Sequence, residues 1–115
     1  MQLKSIKGFD GYHAHIYFDA HTSNLARSLC REAGDRFDLT VGRHHEKTVG
    51  PHPRWSCQLA FDAQRLEEVI HWLDEHRHGL TVFVHGLSGN DLADHSDHVF
   101  WLGKPEAINL AVFSE

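Results

Sequence analysis

The stretch YHAHIYF, residues 12–18, alternates without a break: Tyr12, Ala14, Ile16 and Phe18 point one way, His13, His15 and Tyr17 the other. A period of two is the mark of a strand half buried against a core, so this segment predicts a β-strand whose second face carries two histidines. The other elements follow outward from it. Residues 19–23 supply cap-type side chains, and 23–33 reads as an amphipathic helix ending at Gly34. RFDLTV (36–41) alternates again, with Phe37, Leu39 and Val41 on one face, and GRHHEKTVGPHP (42–53) reads as a connection. RWSCQLAF (54–61) predicts a third strand, with Trp55, Cys57, Leu59 and Phe61 inward and Arg54, Ser56 and Gln58 outward. Asp62 caps a second helix over 63–77, with Leu66, Val69, Ile70 and Leu73 as its apolar stripe and Gly79 as its stop. LTVFVH (80–85) is a fourth strand, with Thr81, Phe83 and His85 turned away from the core. The remainder reads as a loop with one helical turn, a short strand and a final apolar segment, INLAVF (108–113).

The order β-α-β-β-α-β predicts an α+β, ferredoxin-like sandwich: a four-stranded antiparallel sheet in spatial order 4-1-3-2, two helices on one face, and a C-terminal extension. The first and third strands are expected to run parallel as neighbours, with the fourth antiparallel beside the first. A chain of 115 residues builds one core, so a single domain over 1–115 is expected. The net charge of −5, with no basic cluster, argues against a nucleic-acid partner. No stretch resembles an apolar leader or a membrane span, which predicts a cytoplasmic protein. Cys30 and Cys57 form no CxxC pair and read as two buried thiols in the same reducing compartment.

The chain holds twelve histidines, far above ordinary usage, spread along its length rather than run together as in a purification tag. His13 and His15 on one strand face have Cα atoms about 6–7 Å apart. That spacing lets two imidazoles meet one ion at about 2.0–2.1 Å. His85 falls on the same face, so His13, His15 and His85 are the candidate metal ligands, in a set that suits iron, zinc, copper or nickel. Pro51 and Pro53 hold the chain on both sides of His52, a candidate acid/base or alternative ligand. Arg54 is a candidate for pairing with a substrate carboxylate. Tyr17 and Phe83 read either as a stacking pocket for an aromatic ligand or as a dimer interface. His95 and His98 are candidate pocket residues, and Asp91 or Asp94 would supply a carboxylate ligand if their loop folds back. His44 and His45 are expected near the same edge, His21 near the first helix cap. His71, His76 and His78 are expected in solvent, His71 beside Trp72.

Three motifs, YHAHIYFD (12–19), GPHP (50–53) and VHGLSGNDLADHSDHVFWLG (84–103), resemble the small DOPA 4,5-dioxygenase family of fungi and bacteria, in the right order and over nearly the whole chain. The resemblance implies a ferredoxin-like homodimer and iron(II)-dependent extradiol cleavage of a catechol, with both atoms of O2 entering the ring-opened product. Carried onto this chain, that chemistry makes His13, His15 and His85 the ligands, His52 the acid/base, His95 and His98 hydrogen-bonding pocket residues, and Arg54 the carboxylate receptor. An all-histidine set departs from the familiar two-histidine, one-carboxylate iron site. Gly86 also stands where relatives are expected to carry proline. Two readings of other classes remain beside this one: a non-catalytic dimer binding metal or an aromatic small molecule, and a zinc-dependent enzyme of different chemistry.

Overall fold

A computed structural model describes residues 3–113. The elements are β1 (Gly11–Phe18), α1 (Ser23–Phe37), β2 (Thr40–His45), β3 (Trp55–Asp62), α2 (Leu66–His76), β4 (Val82–Gly86), the one-turn helix α3 (Asp91–Asp94) and β5 (Val99–Leu102), with short 3-10 turns at 4–6, 63–65 and 110–113. Over 11–86 this is the expected β-α-β-β-α-β order. The sheet, however, has five strands in the order β2-β3-β1-β4-β5, because VFWL pairs antiparallel with β4. It is antiparallel throughout. β1 and β3 run in opposite directions, Gly11 facing Asp62 and Phe18 facing Trp55, so the expectation of a parallel central pair is wrong. The β2–β3 hairpin reverses the chain once more than that expectation allowed for.

The alternation of 12–18 sorts as read. Tyr12, Ala14, Ile16 and Phe18 are buried beneath the helices, with Cys57, Leu59 and Phe61 of β3 and Val82 and Val84 of β4 on the same side. α1 covers them with Ala26, Leu29, Cys30 and Ala33, and α2 with Val69, Ile70 and Leu73. Each large aliphatic side chain so buried contributes about 1.5–3 kcal/mol. Asp62 caps the turn into α2 by accepting from the Gln64 N–H at 3.0 Å, and Gly79 follows with φ +84°. On α2 it is His76, not His71, that lies against Trp72, at 4.5 Å between rings; His71 is out by Glu75.

α1 does not stop at Gly34. It continues through Phe37 and ends at Asp38 in the left-handed region, so Phe37 is a helical core residue rather than part of a strand. Gly34 is needed for closeness, since a Cβ there would stand 2.5 Å from Val41 Cγ2. The same packing of α1 on β3 sets Cys30 over Cys57, and the two are joined in a disulfide. Both are buried as expected, but they are not free thiols, and they no longer argue for a reducing compartment. No helix among the described residues is long and apolar enough to cross a membrane.

At Gly86 the ring of Phe9 occupies the space a Cβ would need, and the Gly86 N–H donates to the His98 carbonyl at 3.0 Å. Proline would forfeit that bond and meet the ring, which explains the glycine. Gly86→Ala should therefore destabilise the protein by about 1–3 kcal/mol through overpacking, measurable as a lower urea midpoint at unchanged slope.

Candidate metal centre

The face of the sheet away from α1 and α2 carries the histidines. His13 and His85 are direct cross-strand partners, and His15 lies two residues further along β1 on the same side. One nitrogen from each of the three lies within 4.8 Å of the others, and His15 Nε2 is 3.1 Å from His85 Nε2. A second set, His15 with His52 and His95, meets the same criterion and shares His15 with the first.

His52 arrives by a route other than strand adjacency. The start of β3 lies beside the end of β1, so residues before Trp55 would run past Phe18 if they stayed extended. Instead the chain folds back over the sheet through a turn closed by the His52 N–H on the Val49 carbonyl at 3.2 Å. The His52 ring then lies 4.1 Å from that of His15, and its Nδ1 is 2.8 Å from the Tyr17 hydroxyl. His95 follows α3 as its C-cap, its ring 4.3 Å from that of His85. Asn90 caps that turn by accepting from the Ala93 N–H, and buried Asp94 anchors it by accepting from the N–H and hydroxyl of Ser88. Asp94 is thus committed to its loop, and Asp91 is exposed. Among the described residues, neither metal-competent set contains a carboxylate.

Tyr17 and Phe83 are not an open stacking surface. They are 1% and 0% exposed, Phe83 packing against Trp101, His95 and His52, and Tyr17 against Trp101 and His52. Their burial needs no second subunit, so they give no argument for a dimer. The last described residues lie across the same face: the Asn109 N–H donates to the Pro51 carbonyl, and the Phe113 ring lies tilted 4.8 Å from that of His95. His98 stands apart from the cluster, 4.6 Å from the Phe9 ring. Arg54 pairs with Glu106 at 3.3 Å and Asp19 at 3.8 Å. His44 faces α1 rather than the cluster, stacked on Phe18 and bonded to Ser23, while His45 lines a cleft beside His15 and His52. That cleft also holds Arg43, Ser56 and Gln58, of which sequence reading singled out none as a site residue. A larger cavity of about 570 Å³ between α1 and β2 is lined by Arg27, Arg31 and Asp35 and lies away from the cluster.

Burial disfavours the protonated form of these imidazoles. His15 is pushed well below the usual histidine range by burial and by its four histidine neighbours, and His13 is lowered for the same first reason. His52 and His85 are each pushed down to about 4, mainly by burial. All four are therefore neutral at pH 7, the form that offers a lone pair to a metal. The His85 Nδ1–H donates to the Gly86 carbonyl and the His95 Nδ1–H to the Asp91 carbonyl, which sets the lone pair of both rings at Nε2, that of His85 facing His15 Nε2. A histidine with a lowered folded pKa stabilises the fold above its unfolded value near 6.5 and loses that contribution as pH falls toward 4. The metal-free protein should accordingly lose roughly 10 °C or more of its thermal midpoint between pH 7 and pH 4, followed by circular dichroism. A flat midpoint over that range would contradict a buried neutral cluster.

Comparison with known proteins agrees in direction. A profile of the Dopa 4,5-dioxygenase family matches residues 12–112. The chain is 28% identical, over 111 residues, to a DOPA 4,5-dioxygenase of Amanita muscaria, an alignment covering 87% of this chain and 48% of that one. The chain thus spans about half the length of this relative. A crystal structure of a "putative dioxygenase" from Nostoc punctiforme matches at a TM-score of 0.87 and 34% identity, over 97% of this chain and 95% of the other.

Proposed function

The chain belongs to the Dopa 4,5-dioxygenase family, and we propose that it is an iron(II)-dependent extradiol dioxygenase that opens the ring of a catechol such as DOPA. The observation that carries this reading is the convergence of His13, His15 and His85 on one sheet face. Their chemistry fits a divalent ion: three imidazoles kept neutral by burial, with Nε2 of His85 freed by the bond at its Nδ1. Bound by these residues, iron(II) would supply Lewis acidity toward the catechol oxygens and a redox partner for O2.

The protein's own groups handle the protons. Ring opening begins by removing a phenolic proton and ends by returning one, so the group responsible must take up a proton and release it again. His85 is committed to the metal in this reading, and His95, with its Nδ1–H fixed on the Asp91 carbonyl, offers Nε2 alone. His52 faces the Tyr17 hydroxyl, which donates or accepts, so His52 can hold its proton at Nδ1 or Nε2. We assign His52 as acid/base and Tyr17 as its positioning partner. His95 presents an Nε2 acceptor to a ring hydroxyl, and fully buried Phe83 packs against the rings of His52 and His95.

The test is direct. The protein is loaded anaerobically with one equivalent of iron(II), and catechols are added, then O2. A yellow ring-opened product with matching O2 uptake is expected from the iron form and none from the zinc form. Stoichiometric iron binding with no product from any catechol would overturn the reading. The all-imidazole set also favours zinc, so turnover of another kind by the zinc form would then point to the zinc-dependent alternative.

A further inference from the structure

Beside the histidine cluster lies a cleft of about 160 Å³, walled by His15, His52, Arg43, His45, Ser56 and Gln58. That is about the volume of a cavity known to hold a benzene ring. Arg43 is the one fixed cation on its wall, and no acidic residue lines it. Arg43 makes no ion pair among the described residues, whereas Arg54 is held by Glu106 and Asp19 and is not part of the wall.

The irregularity of β2 accounts for where Arg43 lies. Val41 faces Leu59 and His44 faces Cys57, so three steps along β2 match two along β3, and one extra residue is accommodated between them. Val41 packs on Gly34 of α1 and His44 bonds Ser23 of α1, so both belong to the helix-covered face. In a regular ladder Arg43 would follow Val41 onto that face. The bulge sends His44 there in its place and leaves Arg43 with His45 on the cleft side. Bulges of this kind re-aim a side chain. Gly42 permits the close approach, since a Cβ there would lie 3.3 Å from Gln58 Cβ.

We propose that Arg43, rather than Arg54, receives the anionic tail of the ligand: a carboxylate carried on the side chain of an aromatic ring that itself lies toward His15 and His52. The inference rests on the catechol reading above and adds the residue that selects the tail. A guanidinium meets a carboxylate through two parallel N–H bonds, which neither histidine nor lysine reproduces.

Binding of three probes is measured by anaerobic titration calorimetry on the iron(II)-loaded protein: 3-(3,4-dihydroxyphenyl)propanoate, 4-methylcatechol and 3-phenylpropanoate. The wild type should bind the carboxylate-bearing catechol about 10- to 100-fold more tightly than 4-methylcatechol. Arg43→Gln should erase that difference while 4-methylcatechol binding is unchanged, and Arg54→Gln should preserve it. Arg43 is exposed, so an unaltered thermal midpoint is expected for its variant. A preference that survives Arg43→Gln, that disappears in Arg54→Gln, or that the wild type lacks would overturn the proposal. The third probe separates the two readings. Arg43-dependent binding of 3-phenylpropanoate, with nothing gained from the ring hydroxyls, would remove the catechol reading and leave Arg43 in place. Catechol binding indifferent to Arg43 would do the reverse.

Discussion

His15→Ala should abolish metal binding and turnover together while the protein stays folded. His15 belongs to both metal-competent sets, so no alternative trio among the described residues survives its loss. Replacing a partner that merely orients a ligand costs about 10- to 100-fold in metal affinity, and removing a ligand itself should exceed that. The fold should tolerate the change at some cost in packing against His52, Phe83 and His85, because among the described residues His15 forms no salt bridge and its Nε2 pairs only with His85 Nε2. His13→Ala should lose less affinity, since His13 is in one set only and is half-buried. Metal content by atomic emission, read beside the thermal midpoint of the metal-free protein, checks both. Full metal stoichiometry in His15→Ala would remove the centre from this face.

The second large effect belongs to His52. His52→Ala should keep its metal and lose about 10²–10⁴-fold in turnover, the contribution of a positioned proton-transfer group. Tyr17→Phe should act in the same direction but less, because it leaves His52 in place and removes only the hydroxyl 2.8 Å from Nδ1. The pair of variants distinguishes two roles. Metal lost with His52 would make the second set, His15 with His52 and His95, the working one. Wild-type turnover in a metal-replete His52→Ala protein would reduce the Pro51–Pro53 frame to a turn.

Much of this was legible because a strand's period leaves few choices. Once Tyr12, Ala14, Ile16 and Phe18 are inward, His13 and His15 must be outward, and the same reasoning on LTVFVH sets His85 beside them. What failed did so where a residue serves packing instead of its usual local role. Gly34 reads as a helix stop, but its missing Cβ makes room for Val41, and the helix runs on. VFWL (99–102) reads as a separate short strand, since nothing local says that it will pair with β4. Arg43 does not read as a site residue, because a bulge is a mismatch between two strands, invisible in either alone. The disulfide escaped for a similar reason: 27 residues separate its cysteines, and only the seating of α1 on β3 brings them together. His52 stands out in the sequence for its prolines, but the path that delivers it to His15 depends on β1 and β3 running antiparallel, not parallel as expected.

The fifth strand has a consequence for how the centre is filled. With β5 outside it, β4 is an interior strand, and β1 lies between β4 and β3, so all three proposed ligands hang from backbone hydrogen-bonded on both sides. Amide protons at such positions exchange with solvent only when the sheet itself opens. His13, His15 and His85 should therefore stay in place when a chelator strips the ion, and reloading should proceed at the pace of ligand exchange rather than of refolding. The strand that adds no chemistry is the one that would let one ion be exchanged for another without the chain losing its shape.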